Sequence, residues 1–379
     1  MAKNAYIGIN DVAKKVKKIY IGADNIAKTV KKAYVGIGGV ARPFWAYTEL
    51  NYYGTVTPLS SGRYELAATT VGNYALFGGG VDEDSGDYSS TVDAYNKSLT
   101  HTTPTTLSVA RDLLAATTVG NYALFGGGKS TSGSTSVNAY NKSLTRTAPT
   151  SLSKARYSLA ATTVGSYALF GGGVASSTSS DVVDAYNESL TRTTPTALKS
   201  YRHGLNATTV GSYALFGSGY STYAGDSNVV DAYNESLTRT NPTAFSVYFT
   251  QYAATTVGNY ALFGGGVNTN SDSSKVVNAY NKSLTRTIPT SLSKARHVLA
   301  ATTVNEYALF GGGCVSSSTN PYSKVVDVYD KSLTRTVSTS LNTARYQLAA
   351  TSVGNYALFG GGKIEGAYYT DIVDAYVVA

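Results

Sequence analysis

Sulfur and tryptophan are almost missing from this chain of 379 residues, which holds one Cys, one Met and one Trp. A lone thiol, Cys314, excludes an internal disulfide framework and a zinc–thiolate centre. Charge is sparse too: Asp, Glu, Lys and Arg make up 14% of residues, against about 25% in typical soluble domains. The polar surface must therefore come from hydroxyls and amides. No apolar run approaches the roughly 18 residues that read as a membrane span. Polar Ala2-Lys3-Asn4 follows Met1, so no secretory leader is expected. With 42% apolar residues, the chain has ample material for a core and does not read as disordered. What is abundant is Gly (38) and Tyr (32).

The net charge of +8 is concentrated at one end. Residues 1–43 carry nine Lys or Arg and two Asp, so the rest of the chain is nearly neutral. This basic segment repeats every 14 residues: Tyr6-Ile7-Gly8, Tyr20-Ile21-Gly22, Tyr34-Val35-Gly36. A turn pair follows each, Asn10-Asp11, Asp24-Asn25 or Gly38-Gly39, types that tolerate positive φ in tight hairpins. The pattern predicts a β-meander or stacked hairpins. The competing reading is a short helix over Val12–Lys18 capped by Asp11, which nucleates poorly at that length. So small a module needs a partner, and Tyr6, Tyr20, Tyr34, Lys14, Lys17 and Lys31 are its expected assembly residues. No recognition helix or basic–aromatic platform accompanies the lysines, so no nucleic-acid partner is expected.

A second repeat fills the remainder. Tyr-Ala-Leu-Phe-Gly begins at Tyr74, Tyr122, Tyr167, Tyr213, Tyr260, Tyr307 and Tyr356, a mean period of 47 residues. Each unit has four strand-like pieces: Ala-Ala-Thr-Thr-Val, Tyr-Ala-Leu-Phe, Val-Asp-Ala-Tyr and Ser-Leu-Thr-Arg-Thr. Short β-branched and aromatic pieces separated by Gly, Asn and Pro read as strands, and four per unit make a propeller blade. The first three pieces occur seven times and the fourth six, at Ser98, Ser143, Ser189, Ser236, Ser283 and Ser332. The chain ends in a third piece, Val373–Tyr376. Counting back from Arg63 places Asn51-Tyr52-Tyr53-Gly54 where the missing strand belongs. The expected fold is all-β: an assembly module at 1–43, then a seven-bladed propeller at 44–379 closed by an N-terminal outer strand.

The glycine pair after an apolar strand, the downstream Tyr95, Tyr140, Tyr186, Tyr233, Tyr280 and Tyr329, and the Ala-Arg that opens the next unit resemble kelch repeats over about 49–379. One departure is that Leu99, Leu144, Leu190, Leu237, Leu284 and Leu333 stand near the place of the usual kelch tryptophan. The N-terminal Ala-Tyr-Ile-Gly and Val-Ala-Lys-Lys-Val-Lys-Lys repeats look like leaders of tail and fibre proteins from phages and prophages of Gram-positive bacteria. That second resemblance implies a virion protein made in the bacterial cytoplasm. Its N-terminal module would join other virion proteins in a homo-oligomeric assembly.

Residues that could carry chemistry are few. His101 replaces an outer-strand Arg (Arg146, Arg192, Arg239, Arg286, Arg335), where charge is expected to blunt a sheet edge. His203 and His297 follow the Arg that opens a unit, as do Tyr64, Asp112, Tyr157, Thr250 and Tyr346. In kelch-like propellers this stretch lines a channel mouth. Two His with Tyr could hold copper or zinc as in kelch-fold oxidases, but that family needs a Cys–Tyr crosslink and Cys314 stands in a variable loop. The acidic run Asp82–Asp87 lacks the spacing of a calcium loop. The Gly-Gly-Gly runs lack the Lys-Ser/Thr of a phosphate loop, and the Asn-x-Ser sequons at Asn96, Asn141, Asn187, Asn234 and Asn281 repeat with the blades. No catalytic residue, metal or cofactor is expected.

Differences between copies locate a binding face instead. The loops at 81–91, 129–136, 174–182, 220–229, 267–276, 314–325 and 363–372 vary in length and are rich in Ser, Thr, Asn, Asp and Tyr, a mixture suited to recognition. Units four and five depart most: Tyr201-Arg202-His203 replaces Ala-Arg-Tyr, and Tyr248-Phe249 replaces Ala-Arg. Tyr201, Arg202, His203, Tyr220, Tyr223, Tyr248 and Phe249, with Arg156 and Arg296 of the repeated arginine set, are therefore the expected ligand-binding residues. The ligand would be a host-surface glycan or protein, stacked by aromatics and held by guanidinium groups. The alternative for the arginines is that they satisfy loop carbonyls around the channel.

Overall fold

The structure is a computed structural model. It describes residues 49–379 except 83–85, 269 and 316–320, without the side chain of Ala367. Before residue 49 it describes the backbone of six strands. These pair as three antiparallel hairpins: Tyr6–Ile9 with Val12–Lys15, Ile19–Ala23 with Ile26–Val30, and Lys32–Ile37 with Val40–Ala46. Val12 thus begins a strand, and the competing helix does not form there. Tyr6, Tyr20, Tyr34 and Lys14 lie in the hairpin strands, whereas Lys17, Lys31 and the three turn pairs lie outside the described residues. The chain divides into two compact units, one of Met1–Asn51 with Val378–Ala379 and one of Tyr52–Val377.

The larger unit is built of seven four-stranded antiparallel sheets. Blade 1 comprises Ala67–Val71, Tyr74–Gly78, Val92–Asn96 and His101–Thr102. Blades 2 to 6 repeat that order along the chain. Blade 7 takes its first three strands, Ala349–Val353, Tyr356–Gly360 and Val373–Val378, from the end of the chain and its fourth, Leu50–Val56, from the beginning. The seven-bladed, N-terminally closed propeller expected from the repeat count is what forms. Tyr52 fastens the closing strand, its hydroxyl donating to Asp374 Oδ1 at 2.6 Å.

Repeated residues explain the ring. The Leu and Phe of each second strand and the Tyr of each third strand are fully buried. Hydrophobic clusters run from one blade to the next: Val71, Leu76 and Val92 of blade 1 pack with Leu107, Phe125 and Tyr140 of blade 2. The glycine ending a second strand exists for this interlock, since a Cβ on Gly126 would lie 2.7 Å from the Phe170 ring of the next blade. Around the channel, threonines of the first strands bond between blades, Thr69 to Thr118 at 3.0 Å and Thr117 to Thr163 at 2.9 Å. Thr70 to Thr351 at 2.9 Å closes the circle. Each buried Tyr donates to the connection feeding its own blade, as Tyr140 Oη does to Thr105 O at 2.8 Å.

The Asn-x-Ser repeats have a structural purpose. Asn141 Oδ1 accepts from the amides of Ser143 and Thr145, both at 2.9 Å. This side-chain turn holds Leu144 at φ 61°, and Asn96, Asn187, Asn234 and Asn281 make the same bonds. Asparagine is suited to bonding its own backbone two residues on.

Candidate functional site

Arg63, Arg111, Arg156, Arg202, Arg296 and Arg345 are all buried, at 0% exposure. Arg156 Nη2 reaches Asp184 at 2.5 Å, and Arg156 Nη1 donates to the carbonyls of Gly172 and Val182. Arg63 pairs with Asp93, Arg202 with Asp231, Arg296 with Asp327 and Arg345 with Asp374. Arg156, Arg202 and Arg296 are therefore withdrawn from the ligand set: each guanidinium is spent on a carboxylate and on loop carbonyls inside its own blade. Four of the six outer-strand cations also reach these carboxylates, Arg192 and Arg239 at 3.8 and 3.7 Å. His101 Nε2 lies 2.7 Å from Asp93, and Arg335 Nη1 lies 3.1 Å from Asp327, so they back buried carboxylates rather than merely blunting an edge.

The variable loops and the connections between blades emerge together. Leu107 N, on the way to blade 2, bonds Ser90 O of the blade 1 loop at 2.7 Å, and Leu152 N bonds Thr135 O at 2.9 Å. On this face each unit places one residue of positive φ at the channel: Glu65, Leu113, Ser158, Gly204, Gln251, Val298 and Gln347. Backbone bonds link six of the seven neighbouring pairs, such as Leu113 N to Glu65 O at 3.2 Å and Glu65 N to Gln347 O at 3.1 Å, and the belt is open between Gly204 and Gln251, at the junction of blades 4 and 5. Together they line a cavity of about 600 Å³. His203 and Tyr220 also line it, paired through their backbones with rings 5.4 Å apart.

The ring's regularity breaks between blades 4 and 5. At the equivalent junctions, the last Gly of a triplet donates its amide to the next blade's Arg carbonyl, as Gly128 does to Arg156 O at 2.8 Å. Here Phe249 stands in place of Arg, and Ser218 in place of Gly uses its hydroxyl on Phe249 O. Phe245, where other blades have Leu, fills the slot against Gly217 that the second-strand Phe fills elsewhere. Tyr252 also replaces a Leu, and its hydroxyl donates to Gly217 O. The partner of the missing cation has changed as well: Asn278 replaces Asp, which avoids a buried carboxylate without its guanidinium.

Blade 4 also extends its central hairpin, to Tyr213–Ser221 and Gly225–Asn234, where other blades use five-residue strands. A second cavity of about 310 Å³ opens beside it, lined by Asp226, Ser246, Val247, Tyr248, Phe249 and Asn268. Asp226 and Asn268 line both cavities, so the two are contiguous. Tyr248 is 54% exposed at the second cavity. Tyr201 and Tyr223, at 49% and 69%, meet edge to face at 5.7 Å at the hairpin tip. Of the expected residues, the structure thus gathers His203 and Tyr220 at the channel, Tyr248 and Phe249 at the second cavity, and Tyr201 with Tyr223 as an exposed pair.

Sequence reasoning missed the carboxyl pair Glu65 and Asp112. The two hydrogen-bond each other, and burial with the neighbouring Asp112 pushes Glu65 up to about 7, against the pull of Lys363 and Lys129. Burial likewise raises Asp112. Asp112 Oδ1 is buried without a hydrogen-bond partner. Comparing the second residue after each Arg would have singled out Glu65, the one acid in that set. His203 and His297 accept or donate at Nδ1 with Ser179 and Ser273, each at 2.9 Å, and burial lowers both pKa values. They stand on different blades. Burial raises the Cys314 thiol. Among the described residues no three His, Cys, Asp or Glu side chains gather as a metal site. Of the acidic run Asp82–Asp87, residues 83–85 lie outside the described residues.

No protein-family model matches this chain, and no curated protein does. A solved structure titled "Structure of YjhT" is similar in fold, with a TM-score of 0.56 and 10% identity over 86% of this chain and 99% of that one. At that identity the likeness concerns the propeller alone.

Proposed function

We propose that this chain is a non-enzymatic receptor-binding or tail-fibre protein of a phage or prophage particle. Its kelch-like propeller holds a host-surface glycan or protein, and its basic N-terminal repeats anchor it to other virion proteins. The observation that carries the reading is the blade 4–5 junction. There the repeated structural residues are replaced, a cavity opens, and Tyr201, Tyr223 and Tyr248 are left exposed. A rigid ring with one specialised loop cluster is a binding architecture, and exposed tyrosines supply contact area at low entropic cost.

Sedimentation of the fluorescently labelled full chain with a panel of Gram-positive cells tests this. Saturable adsorption to some strains is expected, weakened about 10–30-fold by Tyr201→Ala with Tyr223→Ala, the range of a binding hot spot. Particle incorporation without adsorption to any strain would favour a purely structural virion component, the alternative reading.

A further inference from the structure

The two contiguous cavities allow the ligand class to be narrowed; this step rests on the binding reading above. We propose that the blade 4–5 groove binds a neutral, hydroxyl-rich oligosaccharide that runs from the channel mouth, past Asp226 and Asn268, to the ring of Tyr248.

Size comes first. Adjacent cavities of about 600 and 310 Å³ that share Asp226 and Asn268 in their walls fall within the ~300–1,000 Å³ of ligand sites, and a ligand that occupies both is elongated rather than compact. Charge comes second. No Lys or Arg is among the described residues lining either cavity. Arg156, Arg202 and Arg296, which an acidic polymer would need, are buried and neutralised by their own aspartates. Two lysines at the channel, Lys363 and Lys129, sit over aromatic rings at 3.8 Å from the centroid of Tyr64 and 5.7 Å from that of Tyr157, and both act on the Glu65 carboxyl. An anionic chain entering the groove would lose its hydration without meeting a cation among the described lining residues, which is costly.

Chemistry comes third. Gln251, Gln347 and Asn206 bring amides to the channel end, and amides both donate to and accept from hydroxyls. Tyr248 and Phe249 supply aromatic surface at the other end, suited to the apolar faces of sugar rings. Asn206 and Gln347 each use a side-chain N–H on Tyr252 O and Glu65, which leaves their amide oxygens and the whole Gln251 amide for a ligand. A largely apolar wall that carries these amides, with an aromatic terminus and no cation in the described lining, suits an uncharged saccharide rather than a phosphate or uronate polymer.

The test is calorimetric titration of the full chain with neutral hexose and N-acetylhexosamine oligosaccharides of two to six units. Polygalacturonate and poly(glycerol phosphate) serve as anionic probes. A neutral oligosaccharide is expected to bind with an affinity that changes less than twofold between low and high salt, since no ion pair is screened. Tyr248→Ala and Gln251→Ala, both at exposed positions, are each expected to weaken it at least about tenfold. Preference for an anionic probe, or neutral binding that neither variant alters, overturns the inference. So does adsorption to cells with no saccharide bound, which would indicate a protein receptor. In all three cases the adhesion reading survives; loss of cell adsorption altogether would remove that reading as well.

Discussion

Blade 2 carries a natural defect that can be repaired. Arg111 is buried like the other arginines, but its partner is Asn138 (Arg111 Nη2 to Asn138 Oδ1, 3.1 Å) where five blades place Asp. Burial brings its pKa down to about 10, and no carboxylate beside it opposes that pull as Asp184 does for Arg156. At about 1.4 kcal/mol for each pH unit, this corresponds to roughly 3 kcal/mol of unfavourable burial of the cation. Asn138→Asp supplies the carboxylate in a site already shaped for it. Ser108 N and the Ser108 hydroxyl can donate to it, as Ser153 N does to Asp184 at 3.1 Å. Desolvation of the new carboxylate offsets part of the gain. The expected net stabilisation is about 1–2 kcal/mol at pH 7, or about 1–3 °C in Tm for a unit of this size. The same exchange in blade 5, Asn278→Asp, buries a carboxylate opposite Phe249, with only the outer-strand Arg286 to answer it. It is expected to cost about 1–2 kcal/mol. Calorimetry of both variants at pH 7 decides the matter. Two Tm shifts of the same sign would refute the assignment of the arginine set as paired, buried structure.

Stability of the native protein should fall as pH rises from about 4.5 through about 7, because the unfolded chain gives up the Glu65 proton first while the folded chain holds it beside Asp112. Glu65 is partly exposed, so the slope amounts to about 1–3 kcal/mol in all; urea titrations at pH 5 and pH 8 should show it in the parent and much less of it in Glu65→Gln. Tyr52→Phe removes the charge-assisted bond to Asp374 on the closing strand and should cost about 1–3 kcal/mol, with amide exchange rising first in Val373–Val378. Gly126→Ala should cost about 1–3 kcal/mol in chemical denaturation, since its methyl group would press on the Phe170 ring.

Periodicity made the blades legible. Seven copies of Tyr-Ala-Leu-Phe-Gly, with six copies of the fourth piece, were enough to place Asn51–Gly54 in blade 7, within the strand Leu50–Val56 that forms. The role of the arginines was not legible in the same way, because position in a repeat does not say which way a side chain faces. A signal was nevertheless present: Phe249 and Asn278 replace Arg and Asp in the same blade, whereas in blade 2 Asn138 changes alone. The Asn-x-Ser pattern was visible, but its service as a side-chain turn around a positive-φ leucine emerged only with the backbone. The channel cavity was the least legible feature. It is assembled from one residue in each of seven blades, and the Glu65–Asp112 pair joins two of them across 47 positions of sequence.

Symmetric residues build the ring, and binding is proposed for the asymmetric junction of blades 4 and 5. Hydrogen–deuterium exchange of the full chain, with and without surface polysaccharide released from cells it adsorbs to, tests this most directly. Protection confined to peptides spanning 201–206, 220–226 and 246–252 is the predicted result. Protection centred on the loops of blades 1 to 3, with those peptides unchanged, would contradict it.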